Sequence, residues 1–329
     1  MPNLYLSVNR WVALGLEATW GTSPASPTIY LQADPNPGTK PQVTYIENKA
    51  MYGSATDVID VITGPIYTKF STKGNLFPDT FPYLSFLLLG SEAVTGTAAP
   101  YTHTQSLLEA PTTGSQPGSV SVWDVDNVAY TAGSAKLIPG CVLDSLSVTL
   151  NPTSAANWSA DFIGSELTSA PAPASAFTTS VMVPGYTTVL TIGGTAYDLA
   201  EEMTISAKRS AKQVPTLNGS PAPYIVWSSG LDVSGKFTVL ANSADTLYFA
   251  ALKREQLPVV AKVTENVSGD TFSWNLGTVQ LKDPTVDSSK PYENITVSYQ
   301  ATANSTDATT GLSPLQFVYT NSTSTAIAL

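Results

Sequence analysis

The chain has 329 residues, room for two domains that each bury a core, with 43% apolar but only 12% charged residues and a formal net charge of −10. So sparse and acidic a charge set excludes a surface that grips nucleic acid, which needs clustered Lys and Arg. A single cysteine, Cys141, excludes an intramolecular disulfide framework, fits a reducing compartment, and reads as a small buried apolar side chain.

Met1-Pro2-Asn3-Leu4-Tyr5-Leu6 has no basic head, apolar core and cleavage site, so no signal peptide is expected. A strand-like run over 66–73 leads through a turn into a helix over 79–90. Asp79 or Thr80 caps this helix, Pro82 sits early where its missing N–H costs nothing, and Gly90 ends it. The helix is apolar almost all round and should be deeply buried. Its run from Pro82 to Leu89 is far short of the roughly 20 residues of a membrane span.

The only histidine, His103, lies in a strand-like Tyr101-Thr102-His103-Thr104 and is read as structural or surface. Asp124, Asp126 and Asn127 faintly resemble a calcium loop but lack its Gly and closing Glu. From 142 to 150 Ser and Thr alternate with apolar residues. Trp158, Ala160 and Phe162 then alternate with Asn157, Ser159 and Asp161, so each strand buries one face. The Pro/Ala/Ser-rich stretch 168–176 reads as an extended linker.

Beyond it, Gly193-Gly194 suits a two-residue hairpin turn better than a phosphate cradle. Glu201 and Glu202, adjacent on a strand, are expected to point to opposite faces, which argues against an acid/base pair. A strand over 231–239 precedes a second helix, with Ser243 as N-cap, Asp245 in the first turn, and Leu247, Ala250 and Ala251 on one face. Ile295, Val297, Tyr299 and Ala301 alternate with Asn294, Thr296, Ser298 and Gln300; the Asn294-Ile-Thr296 triplet is expected by chance. Leu315 to Tyr319 reads as a last strand or docking arm.

Aligning Ile66 with Leu231 puts Tyr83 on Tyr248, Leu84 on Phe249 and Leu87 on Leu252, and each half closes on a strand pair ending at 157–163 or 294–300. A duplicated unit usually stacks or rings its copies. The expected fold is all-β: two tandem antiparallel β-sandwich or barrel domains, each with one flanking short α-helix. The expected boundaries are 1–167 with an insertion over 91–136, the linker 168–176, and 177–329 with a C-terminal arm. No catalytic constellation, metal site or cofactor is legible.

The ordered features resemble tail tube proteins of long-tailed bacteriophages. Leu14-Gly15-Leu16-Glu17-Ala18-Thr19-Trp20-Gly21-Thr22 is similar to the family's opening. Gly64-Pro65-Ile66, the Leu-rich helix ending at Gly90, Pro100-Tyr101-Thr102-His103-Thr104, Gly140 to Leu146, and Asp161-Phe162-Ile163-Gly164 follow in the family's order. The resemblance covers most of the chain. It implies antiparallel sandwiches or barrels whose inner sheets join into rings, and rings that stack into a tube for double-stranded DNA, which passes without specific binding. It implies a virion tail location after synthesis in the host cytoplasm, no enzymatic activity and no membrane partner. Its implied partners are further copies of the chain, the tape measure protein, the tail terminator and tail-tip proteins.

Single-domain members are expected in sixfold rings, so a two-unit chain is expected to close a ring as a homotrimer. Lumen-facing candidates, taken from the alternation, are Ser145, Ser147, Thr149, Ser159, Asp161, Thr278, Gln280, Thr296, Ser298 and Gln300, on a wall expected to be neutral to acidic. Contact with a neighbouring ring or solvent is the alternative for these faces. A bacterial adhesin or S-layer-like β-repeat protein also fits the composition but would normally carry an export signal. A glycan-active β-sandwich enzyme lacks any placed carboxylate pair.

Overall fold

The computed structural model describes residues 10–35, 37–50, 52–53, 56–109, 116–125, 134–241, 246–289 and 291–327. In the first half β1 (Trp11–Leu16), β2 (Ile29–Leu31), β3 (Gly38–Asn48) and β4 (Asp60–Asn75) precede α1 (Phe81–Leu89). After α1 come β5 (Gly90–Thr95), β6 (Tyr101–Leu107), β7 (Val120–Val125), β8 (Ser134–Leu150), β9 (Asn157–Gly164) and β10 (Thr168–Pro171). The second half contains β11 (Val189–Ile192), β12 (Thr195–Tyr197), β13 (Ala200–Lys208), β14 (Lys212–Val214), β15 (Ile225–Trp227) and β16 (Asp232–Leu240). It closes with α2 (Leu247–Leu252), β17 (Gln256–Thr264), β18 (Thr271–Asp287), β19 (Asn294–Ala301) and β20 (Gln316–Asn321). The all-β class holds, with two short α-helices among the described residues.

Both helices form where the sequence places them, but their N-termini differ from expectation: neither has a side-chain cap, and α2 has Thr246 rather than Ser243 at its N-cap and no acidic residue in its first turn. Pro82 lies at the start of α1 and Gly90 ends it at φ 88, a left-handed value that glycine adopts without a Cβ penalty. Thr80 takes the N-cap position, but its hydroxyl donates to Gln32 rather than to the helix. All of α1 except Tyr83 is buried. In α2 Leu247, Ala250 and Ala251 form the buried face, while Ser243 and Asp245 lie outside the described residues.

Two series of antiparallel neighbours run in the same order. The first is β3–β4–β9–β8–β7–β1–β2. The second is β13–β16–β19–β18–β17–β11–β12. Register agrees as well as order: Ser71 faces Asp161, which faces Ser145, and Lys236 faces Ser298, which faces Lys282. Strand β10 adds to the first part of β8 as β20 adds to the first part of β18. Since β7 occupies the place that β17 takes, β5 and β6 are the strands without a counterpart in the series among the described residues of the expected 91–136 insertion.

Two further expectations change. The stretch 168–176 is not an unpaired linker throughout, because Thr168–Pro171 pairs with Ser134–Leu137 as a short strand. Pro171 is tolerated there, where the ladder ends. Nor does the main core divide at 168: one apolar cluster takes Val12 and Leu14 from β1, Phe70, the α1 leucines, Phe237, Val297 and Phe317. Phe81 of α1 meets Trp274 and Phe317 edge-on, with centroids 5.8 and 5.4 Å away. The predicted last strand is β20, held between β18 and β6.

Candidate assembly edges and polar face

Strand β8 changes neighbours along its 17 residues. Its first part lies between β7 and β10, and its second part between β9 and β13. The β8–β13 ladder joins Ser145–Leu150 to Met203–Lys208 and makes β3–β4–β9–β8–β13–β16–β19–β18 one uninterrupted succession. At its ends, β3 has a single neighbour, β4, and β18 beyond Leu281 pairs only with β19 among the described residues. Each end is therefore an edge with backbone groups open to another strand.

Alternation sets the two faces of this succession. Leu146, Val148 and Leu150, Trp158, Ala160 and Phe162, Met203, Ile205 and Ala207, and Ile295, Val297 and Tyr299 enter the core. The opposite face is polar and crosses both halves without a break. One row runs Lys73, Ser159, Ser147, Ser206, Ser234, Gln300, Gln280. The next runs Asn75, Asn157, Thr149, Thr204, Lys236, Ser298, Lys282.

Nine of the ten candidates thus share this face; Ser145 donates to Asp161 at 2.8 Å and Thr238 meets Thr296 at 2.9 Å. The tenth, Thr278, lies where the β17–β18 register shifts, and its carbonyl accepts from Thr302. The alternation in 203–208 and 233–239 was equally readable, yet Thr204, Ser206, Lys208, Ser234, Lys236 and Thr238 were not among the candidates. Their inclusion corrects the expected charge. Exposed Lys40, Lys69, Lys73, Lys208, Lys236 and Lys282 stand among Asp161, Asp232 and Glu202, so the face is mixed rather than neutral to acidic.

His103, Asp124 and Cys141 are buried within the fold. His103 is buried in β6; its Nδ1 is 2.6 Å from Glu92 Oε1 and its Nε2 is 2.9 Å from the Thr323 carbonyl, with Tyr319 stacked on the ring. Asp124, fully buried, accepts from Arg10 and Thr39 and lies 3.8 Å from Lys136; Asp126 and Asn127 lie outside the described residues. No cluster of potential metal ligands occurs among the described residues. Burial, then the nearby Glu17, pushes the Cys141 thiol well up, so it stays protonated.

Glu201 and Glu202 do not point to opposite faces. A register shift between Ala200 and Glu202 breaks the alternation, and both carboxylates line one cleft with Thr238, Asp287, Asn294 and Thr296. Glu201 accepts from buried Asn294, and Glu202 lies 3.9 Å from Lys236. No helix among the described residues is long and apolar enough to cross a membrane.

The family model described as "Phage tail tube protein" matches residues 9–301, which takes in every strand of both series. The curated proteins contain no match to this chain.

Proposed function

This chain belongs to the phage tail tube protein family, a structural component of the virion tail, and we propose that it polymerises into rings whose joined sheets enclose a channel for DNA. The observation that carries this reading is the β8–β13 ladder. It is a lateral joint between two equivalent sheets, made inside one chain. By ladder position β18 matches β8 and β3 matches β13, so the open edges at the two ends are the same two edges that meet in that joint. A head-to-tail contact between them repeats the joint and closes into a ring.

The register follows from the internal copy. Ser147 faces Ser206 and Thr149 faces Thr204, so Thr285 of one chain faces Lys40 of the next, and Asp287 faces Gly38. Lys40 then lies diagonally across from Asp287, an attractive pairing. Pro41 and Pro284 remove two potential donors, which makes this seam weaker than the internal one. Three chains supply six sheets, giving threefold symmetry that imitates the sixfold rings of single-unit relatives. On β4, Lys69 in the Lys40 row and Lys73 in the Ser206 row are offset by four positions. Such stagger is what closing a sheet into a barrel requires.

In this ring the polar face lines the channel. Lys40 faces Lys69, but Lys73, Lys208, Lys236 and Lys282 face Ser, Thr or Asp neighbours across the sheet, and Glu202, Asp161 and Asp232 partly offset them, so the face presents no continuous basic track to bind the phosphates. Tape measure, terminator and tip proteins meet the tube along its bore and at its ends.

A cysteine pair tests the seam. Gly38→Cys with Asp287→Cys, in a Cys141→Ala background, should yield covalent closed trimers on oxidation of assembled protein. The pair Ser147→Cys with Ser206→Cys should link only within a chain. Linkage of 38 to 287 that stops at linear dimers, or that closes hexamers, rejects the three-chain ring.

A further inference from the structure

We infer that the outer arms of the β3–β4 hairpin, residues 43–48 and 60–66, form a latch that folds over the second half of the next chain in the ring. The inference rests on the ring reading above and adds a second contact to it.

The second half contains the same device already closed. Between Lys208 of β13 and Asp232 of β16 the chain makes an excursion whose only ladder is β14–β15, with Lys212 facing Trp227, Gln213 facing Val226 and Val214 facing Ile225. On the first half, Gln42 and Tyr67 occupy the places of Lys208 and Asp232. The excursion between them carries the same ladder in the same register: Ile46 faces Ile62, Glu47 faces Val61 and Asn48 faces Asp60.

The two hairpins differ in what they touch. The β14–β15 hairpin lies across the internal joint on the first half of its own chain. Ala211 and Val226 pack with Val142, Ile163 and Trp20. The Ala211 N–H donates to Asp144 at 2.7 Å, the Arg209 guanidinium to the Leu88 carbonyl at 3.0 Å, and Ile66 N–H to the Pro221 carbonyl at 2.9 Å. Ala211 and Val226 are consequently 5% and 2% exposed, whereas their counterparts Tyr45 and Val61 are 65% and 48% exposed. A tyrosine and a valine at positions that are apolar and covered in the other copy mark a face made to be covered.

What covers it is fixed by the internal precedent. The β14–β15 hairpin reaches across the β8–β13 ladder, so the β3–β4 hairpin reaches across the β18–β3 seam and lands on a second copy of this chain. Ladder positions put Gln280 in the place of Val142 and Gln300 in the place of Ile163. Both are only partly buried, and Gln280 donates to the Arg254 carbonyl just beyond α2. There α2 exposes Phe249 and Leu252, whose counterparts Leu84 and Leu87 are buried, and these supply apolar surface for the latch to close on.

The test is cross-linking between isotopically heavy and light chains carrying Val61→Cys and Gln280→Cys in the Cys141→Ala background. The pair Val142→Cys with Val226→Cys is the intrachain control. Isolated rings are expected to give a heavy–light link between 61 and 280, while the control links within one chain. Rings that form but leave 61 and 280 unlinked overturn the latch and leave the ring reading intact. A link seen only after rings stack also overturns it, because the hairpin then reaches the next ring. Failure of the parent chain to form any ring removes the ring reading and the latch with it. A second variant, Tyr45→Ser with Val61→Ser, alters exposed positions and should keep the monomer's circular dichroism while lowering ring yield at least tenfold; unchanged yield contradicts the latch.

Discussion

Glu17 shows why the opening motif has the residues it has. Its buried carboxylate accepts from Ser119 Oγ at 2.7 Å, Ser121 Oγ at 2.5 Å, and the Gly21 and Gly140 N–H groups at 2.8 Å each. One side chain therefore ties the turn after β1 to β7 and β8. Gly140, at φ 62, brings its backbone against the Trp20 ring, where an added Cβ would come within 2.8 Å. Glu17→Ala strands these buried donors and should lower stability by about 2–4 kcal/mol in urea titration. A loss under 1 kcal/mol would mean water replaces the carboxylate.

Glu265 gives a pH-dependent case. Burial pushes its carboxyl up, but hydrogen bonds from Ser268, Val267 and Gly269 outweigh this and hold it below the usual range. A depressed folded-state value stabilises the fold above the unfolded value and is lost as pH falls through the folded one. Glu265→Gln should therefore cost stability at neutral pH and progressively less in acid, read from thermal melts between pH 3 and 7. An equal loss at every pH would contradict the assignment. His103→Ala should free the chain around Thr323, seen as faster amide exchange beyond β20, with the β18 core still protected.

At the scale of elements, what each strand does alone was readable and what it sits beside was not. Alternation in 142–150, 157–163 and 294–301 gave the buried faces, because period two needs no knowledge of the partner. Gly193 and Gly194, at φ 58 and 80, make the predicted two-residue turn between β11 and β12. The Glu201 bulge, the β10 pairing and the β8–β13 joint depend on neighbours distant in sequence, which local patterning does not encode. For Lys208 and Lys236 the alternation was readable, but that their strands continue the candidates' sheet is decided by the β8–β13 and β13–β16 pairings. Ser159→Arg with Thr296→Arg tests that face. Both side chains lie off the core, so tubes should assemble, while DNA release slows if the face lines the channel. Unchanged release through intact tubes removes these positions from the wall.

For the whole molecule, the proposed ring would have one of every two sheet-to-sheet contacts inside a chain, so fewer independent bodies would have to be ordered when it forms. In that ring the seam between chains, with Pro41 and Pro284 in its edges, is expected to be the weaker one and to set the concentration at which rings appear. Lys40 and Asp287 predict that assembly weakens with salt, whereas the β8–β13 joint, inside a folded chain, does not. Reconstruction of the assembled tube by electron microscopy without imposed symmetry tests the central claim most directly. Three chains per ring, with two similar but non-identical lobes alternating around an unbroken inner sheet, are predicted. Six equivalent copies of the whole chain per ring, or an inner wall in which the second half takes no part, would contradict the account.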